Sequence, residues 1–471
     1  MADAQTKIQH LTWRAGFGPR AADLKRLRNS GLNEFQQRFF KASAGTPSFL
    51  EALSNPVEEG SMEDVFPKKR QVTEQERKDR KQVHFEAIKK LNRLWLAEMI
   101  NSDAQLREKM AFFWHDHFAC RTGNALHLQQ YLHILRTNAL GKFSDLLVAV
   151  SKSAAMINYL NSNLNKKGKP NENFAREVME LFSIGKGNYT EDDVKEAARA
   201  FTGWTTDYEG RFIFKAEQHD AGSKKFLGHT GNFSGDDILQ LLLKEKNTAR
   251  FIVEKIYRYF VNEITDDKRV NQLTDTFYTS GYDIGKLMYS IFSSEWFFRP
   301  EHIGSRIKSP IELWVGINRQ LPMQFSDPDA AFGFQRVLGQ VLFQPPNVAG
   351  WPSGNAWIDS SSLMFRLRLP LVLSAGTSID VSSKPDDDIQ MGKKDQPVRG
   401  MRATIQWAAY FNVFKDAGSK ELPALLNRFL LQTSTGPSET ILEKYSKNDS
   451  REAFLSSRSL LLMQCPEYQY C

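Results

Sequence analysis

Two glutamates in the stretch 170–185 are the first candidates for chemistry in this sequence. At roughly 100° per residue, the apolar side chains of this stretch form one stripe of a predicted helix: Phe174, Val178, Leu181 and Phe182. Asn173, Glu177 and Glu180 lie directly beside that stripe. Because a surface helix normally carries its charges opposite its apolar face, this placement indicates a partly buried polar cluster, where pKa values shift. We predict Glu177 and Glu180 as catalytic residues, with Asn173 and Arg176 binding substrate.

Further polar motifs stand in apolar or glycine-rich surroundings: Arg14, His115 with Asp116 and His117, His219 with Asp220 and Lys224, and Asn347 with Trp351. If the fold brings them to the glutamates, imidazole, carboxylate and cation meet in one site, which is enough for general acid–base catalysis. We therefore predict His115 and His219 as catalytic imidazoles. Arg14, Lys224 and Trp351 are the further predicted substrate-binding residues.

His115 and His117 are also the candidate metal ligands. Together with Glu177 or Glu180 they form a mixed nitrogen and oxygen set that suits zinc, manganese or iron. On a helix, however, an HxH pattern points its two rings about 200° apart, so both bind one ion only if the segment is extended or a turn. A divalent metal is one alternative; the other is a metal-free hydrolase in which Glu177 or Glu180 is the base. The sequence leaves the cofactor unknown.

Motifs for specific reactions are missing from the sequence, since it contains no GxSxG elbow, Walker loop, HExxH or dinucleotide fingerprint. Trp351 and Trp357 stand in a loop rich in glycine, asparagine and proline. They could form an aromatic platform for a sugar or peptide, but tryptophans in such loops more often pin tight turns to the core. The reaction class therefore stays open.

Helical periodicity recurs along most of the chain. It predicts a helix from Pro170 or Asn171 to Gly185, and another that opens at the capping residue Thr190 and stops at Gly203. Residues 211–215 alternate weakly, which predicts a strand leading into a hairpin or ordered loop. The predicted fold class is mainly α: a multi-helix array with short β hairpins and long loops.

The domain organisation follows from one polar segment. Residues 382–397 read SSKPDDDIQMGKKDQP, so we predict a flexible linker or insertion at 375–400. It separates a helical core domain, 1–374, from a C-terminal helical tail, 401–471, that packs on the core.

Composition excludes several classes of protein. The chain has 471 residues with 62 Lys and Arg against 55 Asp and Glu, a net charge of +7 that is small for this length, so no nucleic-acid partner is expected. Three cysteines without CxxC spacing exclude a disulfide framework. No run of residues approaches the length of a membrane span, and the start of the sequence has no export signal.

Six motifs and the ending LMQCPEYQ resemble, in order, the bacterial family called domain of unknown function 1800. The motifs are RAGFG at Arg14, WHDHF at Trp114, NENFAREVMELFSIG at Asn171, ARAFTGW at Ala198, HDAGSKKFLG at His219 and PPNVAGWPSGNAWI at Pro345. The resemblance covers essentially the whole chain and implies a predominantly helical bacterial protein. Members are often exported and encoded beside proteins of domain of unknown function 1501, a family similar to sulfatases and alkaline phosphatases. Such a protein is the implied partner, while the location stays unknown because this chain lacks a signal.

Two functions remain as alternatives. The first is an enzyme, or enzyme-accessory protein, of envelope or polymer metabolism that acts with the phosphatase-like or sulfatase-like partner. The second is a non-catalytic helical scaffold or binding protein, whose polar motifs form a structural network. Solvent access to Glu177 and Glu180 distinguishes them, because a sealed carboxylate pair cannot meet a substrate.

Overall fold

The computed structural model describes residues 3–54, 73–207, 209–375, 403–433 and 436–471. The predicted linker at 375–400 lies outside these residues, apart from Ala375 at the end of a helix. The described residues form 21 α-helices and three two-stranded antiparallel sheets. The predicted mainly α fold with short hairpins is therefore confirmed.

The α-helices follow one another along the chain as α1 Ala4–Arg14, α2 Leu24–Asn29, α3 Leu32–Ser43, α4 Glu74–Asn101, α5 Gln105–His117, α6 Ala125–Thr137, α7 Phe143–Ser151, α8 Ala154–Tyr159, α9 Asn173–Glu180, α10 Glu191–Ala200, α11 Gly235–Lys244, α12 Lys246–Phe260, α13 Asp267–Thr279, α14 Ile284–Phe292, α15 Pro310–Gln320, α16 Ala330–Leu338, α17 Ser360–Ala375, α18 Trp407–Val413, α19 Leu422–Leu430, α20 Glu439–Tyr445 and α21 Arg451–Met463. The strands pair in chain order as β1 Trp204–Thr206 with β2 Phe212–Phe214, β3 Lys224–Phe226 with β4 His229–Gly231, and β5 Met323–Phe325 with β6 Ala403–Ile405.

Local sequence explains where many helices begin. Four of them open with a reciprocal capping box, at Thr73, Thr190, Ser234 and Ser309. In each, the side-chain hydroxyl accepts from the backbone N–H three residues on, and the acid there accepts from the cap, so two otherwise unpaired N–H groups are satisfied. The predicted start of α10 at Thr190 is confirmed, and the helix ends before Gly203, whose φ is +84°.

The helix α9 is shorter than the sequence predicts. It begins slightly later and ends at Glu180, whereas the periodicity continues to Gly185. The N–H groups of Leu181 and Phe182 both donate to the carbonyl of Glu177, at 2.9 and 3.2 Å, and this turns the chain out of the helix. The prediction was wrong here because tertiary contacts of Leu181 and Phe182, described below, override the local pattern.

Two helices, α5 and α15, run through the interior, since nearly every residue of each is buried. A helix that is buried on all sides is usually apolar throughout. These two instead carry charges, among them Glu108 and Lys109 on α5 and Glu312 on α15, all of them fully buried. Because an isolated buried charge is very costly, these side chains must find partners inside the protein, and they define the polar interior described next.

One hydrophobic cluster contains buried residues from Ile8 near the start to Tyr468 near the end of the chain. The division into a core domain, 1–374, and a tail, 401–471, stays a prediction. Among the described helices, none combines the length and apolar character needed to cross a bilayer.

Candidate functional site

The glutamates of α9 are half-buried at the protein surface. Glu180 accepts a hydrogen bond from the Tyr189 hydroxyl at 3.0 Å. The carboxylate of Glu177 makes no hydrogen bond or ion pair within the described residues, and burial, together with the nearby charge of Glu180, raises its pKa. No hydrogen bond, ion pair or ring contact in the described ranges joins either glutamate to His115 or His219.

The neighbouring predicted substrate ligands have partners of their own. Arg176 forms a bidentate ion pair with Glu191 at 2.7 and 2.8 Å and a second pair with Glu172 at 3.2 Å. These contacts tie the start of α10 to α9. Asn173 donates to the carbonyl of Leu160 at 3.3 Å. Both side chains therefore hold the local structure together, and their role in substrate binding stays a prediction.

His219 and Lys224 lie at the two ends of a loop that is closed on itself, with Lys224 as the first residue of β3. The Lys224 ammonium donates to the carbonyls of Asp220 and Gly222, at 2.5 and 3.0 Å. Arg199, from the ARAFTGW motif, pairs with the Asp220 carboxylate at 2.8 and 3.3 Å. The His219 ring packs edge-on against a neighbouring aromatic residue of β2 at 5.2 Å. The two predicted residues are thus adjacent to each other, in a group separate from the α9 glutamates.

The end of α5 meets the loop 345–357. The ring of His115 stacks on Trp351 with 5.2 Å between centroids, and its Nε2 accepts from the backbone N–H of Phe343 at 3.2 Å. Burial lowers the pKa of His115 to about 3, so the ring is neutral. Asp116 accepts from the backbone N–H of Trp351 at 2.8 Å. Trp351 itself is buried in a small apolar cluster with Ile307 and Trp357.

Close contact with Asp116 explains the glycine at position 350. Gly350 has φ +89°, and a Cβ there would lie 2.3 Å from Oδ1 of Asp116 and 2.8 Å from its carbonyl oxygen. We expect Gly350→Ala to lower the free energy of unfolding by about 2–4 kcal/mol, through backbone strain and overpacking. Urea denaturation measures this. Gly45→Ala is the matched control, because no atom lies within 4 Å of its added Cβ; equal stabilities of the two variants would contradict the prediction.

A carboxylate and an ammonium group with incomplete hydrogen bonding lie beside this loop. Lys255 on α12 donates to Nδ1 of His117 at 3.2 Å and to the carbonyl of Leu181 at 3.0 Å, and its third N–H makes no hydrogen bond within the described residues. The ammonium also lies over the ring of Phe251, 4.7 Å from its centroid. Nε2 of His117 lies 3.1 Å from the carbonyl of Phe182, so the neutral ring donates there and accepts from Lys255. The Oδ2 atom of Asp116 has no partner among the described residues. Asp116 and Lys255 do not form an ion pair, and both remain partly exposed.

Burial brings the pKa values of these two groups toward neutrality. It raises the pKa of Asp116 to about 6, against the opposing effect of the Trp351 N–H and of the Lys255 and Arg306 charges. It lowers the pKa of Lys255 to about 8, against the attraction of Asp116. At pH 7 most Asp116 side chains are therefore ionised and most Lys255 side chains protonated.

Behind Asp116, buried charges surround Glu312. Its carboxylate accepts from Lys109 at 2.5 Å, from Arg306 at 2.9 Å and from the backbone N–H of Ser309 at 2.7 Å. Burial alone would raise the pKa of Glu312, but Arg306 and Lys109 hold it far below its ordinary value. The Arg306 guanidinium also lies over the ring of Tyr259, 4.2 Å from its centroid. Because the charge of Arg306 acts on Asp116 as well, the network and the Asp116 site are electrostatically connected.

Arg14 belongs to the same region. It is fully buried and donates to the His302 carbonyl and the Ser305 hydroxyl, each at 2.7 Å. Its Nε and Nη1 atoms have no partner within the described residues, and burial lowers its pKa to about 10. The charge of Arg306 lowers this pKa further, which places the two guanidinium groups near one another.

The predicted site residues therefore fall into three groups. His115, His117 and Trp351 lie around Asp116, and Arg14 lies behind them beside His302 and Ser305 in the region of Arg306. Asn173, Arg176, Glu177 and Glu180 lie on α9, and His219 and Lys224 lie at the two ends of the loop before β3. Sequence reasoning missed Lys255, Arg306, Glu312 and Lys109. One of them carried a usable signal: Lys255 follows Phe251 and precedes Tyr259 by four residues each, on the same helix face.

The metal ligands predicted at His115 and His117 do not fit one shared ion. Because α5 continues through His117, the two rings face different neighbours, Phe343 and Phe182. Both nitrogens of His117 are already occupied by protein atoms. In the part of the chain that the structure describes, no group of three or more His, Cys, Asp or Glu side chains is arranged to hold a metal.

Comparison with known proteins gives a family for the chain. A family model described as "Protein of unknown function (DUF1800)" matches residues 10–470, a range that contains all six motifs. The comparisons with curated proteins and with solved structures find no match to the chain. The function must therefore be inferred from the geometry of the site.

Proposed function

The chain belongs to the domain of unknown function 1800 family, and from that starting point we propose that it is an enzyme performing general acid–base chemistry on a negatively charged substrate at Asp116 and Lys255. One observation carries the proposal. A carboxylate oxygen and an ammonium N–H, neither with a hydrogen-bond partner among the described residues, lie at the same partly exposed site, where each group's charge acts on the other. Groups with such shifted pKa values often mark functional sites.

The two side chains divide the chemistry between them. Asp116, ionised at neutral pH, removes a proton from a water molecule or a substrate hydroxyl. The Lys255 ammonium stabilises the negative charge that develops on the substrate. His117 and the Leu181 carbonyl hold Lys255 in place, and the Trp351 N–H fixes one oxygen of Asp116 so that the other is presented to the substrate.

The charges around the site favour an anionic substrate. Lys255 and Arg306 both act on Asp116. A substrate bearing a phosphate, sulfate or carboxylate group would pair with the Lys255 ammonium. Such a substrate agrees with the family-based hypothesis of envelope or polymer metabolism beside a phosphatase-like or sulfatase-like partner of domain of unknown function 1501. That partnership, and the catalytic roles of Glu177, Glu180, His115 and His219, stay predictions.

A scaffold or binding role is the second candidate. It is favoured by Arg176 and Arg199, because both guanidinium groups are already paired with carboxylates on neighbouring elements of the same chain. In that case the polar motifs stabilise the fold, and the protein binds a partner without turnover.

Chemical labelling of Lys255 tests the proposed site. We expect acetic anhydride to modify Lys255 in the folded protein with a half-maximal rate near pH 8, because burial lowers its pKa to about 8. An ordinary lysine has a pKa of about 10.4, and N-acetyl-lysine amide is the internal standard. In Asp116→Asn the midpoint should move to lower pH, because the attraction that keeps the ammonium charged is lost. Peptide mass spectrometry measures the rates.

Two results would count against the proposed site. Lys255 could stay unmodified until the protein unfolds, which would mean that no substrate reaches it. Alternatively, the pH midpoint of Lys255 labelling could equal that of the standard, which would mean that its pKa is not lowered. A midpoint that Asp116→Asn leaves unchanged would show that the two groups are not electrostatically coupled.

A further inference from the structure

A second candidate binding site lies away from Asp116, in a cleft of about 760 Å³ between α3, α5, α6, α13 and α14. This volume is typical of sites for small organic ligands. Part of its wall is apolar, formed by Phe40, Leu140 and Tyr289. The rings of Phe40 and Tyr289 pack edge-on with 5.4 Å between centroids, and Tyr289 is 54% exposed. The cleft thus offers an open aromatic surface to a ligand.

The charged residues of the lining all have the same sign. They are Lys41, Arg107, Arg136 and Lys286, and among the described residues no aspartate or glutamate lines the cleft. Glu108, buried behind the wall, pairs with Arg107 at 3.0 Å and with Arg136 at 2.9 Å. This carboxylate fixes the two guanidinium groups in position. Arg136 also pairs with Glu98 at 3.0 Å, so two carboxylates match the two buried arginines. The positive excess of the lining comes from the exposed Lys41 and Lys286, and it favours a negatively charged ligand group.

Arg107 presents a free hydrogen-bond donor to this space. Its Nε donates to Glu108 at 3.0 Å and its Nη1 to the carbonyl of Gly45 at 3.0 Å. Its Nη2 makes no hydrogen bond to any described residue, although the side chain is only 10% exposed. A guanidinium held by two bonds loses little freedom when a third is formed, so it is suited to bind an anionic headgroup.

We propose that this cleft binds an amphipathic anion, with its acidic headgroup on Arg107 and its apolar body against Phe40, Leu140 and Tyr289. The ligand class is a chain or ring system bearing one carboxylate, sulfonate or phosphate-type group. Lys41 and Lys286 at the rim add attraction at longer range. This site shares no residue with the Asp116 and Lys255 site, so either one can exist without the other.

The test uses dodecanoate and dodecyltrimethylammonium, two amphiphiles with the same chain length and opposite charge. Below their micellar concentrations, we expect displacement of 8-anilinonaphthalene-1-sulfonate by dodecanoate with micromolar affinity, and much weaker displacement by the cation. Gly45→Leu should weaken dodecanoate binding about tenfold or more. Gly45 lines the cleft and its Cβ position is open, so the new side chain occupies ligand space while the fold is kept.

Gly123→Leu is the matched control, since it places the same side chain at an equally open glycine outside the cleft. It should bind dodecanoate as the wild type does, and so should Asp116→Asn. Circular dichroism confirms that each variant is folded. Equal affinity for the two amphiphiles, no binding of dodecanoate, or an unchanged affinity in Gly45→Leu would each overturn the proposal. Lys286→Glu gives an independent check, since it should reduce dodecanoate binding without filling the cleft.

Discussion

Glu312→Gln is expected to lower the free energy of unfolding by about 3–5 kcal/mol, because it leaves buried cations without their central counter-charge. Lys109 and Arg306 both donate to this carboxylate, and the side chains of Lys109 and Glu312 are fully buried. Glutamine keeps the shape and one acceptor oxygen but removes the charge. The decrease in the free energy of unfolding therefore measures the effect of leaving the cations uncompensated. Urea denaturation followed by circular dichroism determines it.

The control for Glu312→Gln is the same substitution at an exposed ion pair. Glu74 lies 2.8 Å from Lys78, with both side chains mostly in solvent. Because exposed pairs contribute little, Glu74→Gln should leave the stability unchanged. If Glu312→Gln also left the free energy of unfolding unchanged, the buried cations around Glu312 would not need its negative charge for stability.

The stability contributed by Glu312 should also depend on pH. Its pKa in the folded protein is depressed, so the contribution is fully present above the ordinary glutamate pKa and is lost as the pH falls through the folded value. The difference between wild type and Glu312→Gln should therefore be constant above about pH 5 and narrow at lower pH. A difference that grows on acidification would contradict this sign.

Asp116→Asn is expected to reduce turnover by about 10²- to 10⁴-fold, the range typical of a lost general base. Asparagine keeps an oxygen that can accept from the Trp351 N–H, so the loop 345–357 should stay in place. A panel of anionic 4-nitrophenyl phosphate, phosphonate and sulfate esters, with the neutral acetate, provides the assay. Asp145→Asn, at an exposed position, is the matched control and should keep full activity.

The pH profile of that turnover should be bell-shaped. Activity falls below about pH 6 as Asp116 becomes protonated, and above about pH 8 as Lys255 loses its charge. Lys255→Met should remove the alkaline limb together with most of the activity.

Glu177→Gln separates the two candidate bases: the sequence predicts that it abolishes activity, whereas the proposed site does not require Glu177. Loss of activity in Glu177→Gln alone would transfer the role of base to α9.

The extent to which the site was predictable differs from residue to residue. Asp116 stands in the WHDHF motif, which the sequence marks as a candidate site because it sets polar residues among aromatic ones. Its partner Lys255 is 139 positions away and looks like one charged residue of an ordinary amphipathic helix. Only the hydrogen bonds of Lys255 to His117 and Leu181 show that it faces inward. Those contacts also explain why the end of α9 was predicted wrongly, since Leu181 leaves the helix where Lys255 binds its carbonyl.

The helical fold class, the capped start of α10 at Thr190 and the family could all be predicted from the sequence, because they depend on residues within a few positions of one another or on motifs read in order. The tertiary structure alone decided which charges meet. Helices α5, α12 and α15 bring Asp116, Lys255 and Glu312 to one region, and this pairing depends on long-range packing and on the cost of burying a charge without a partner.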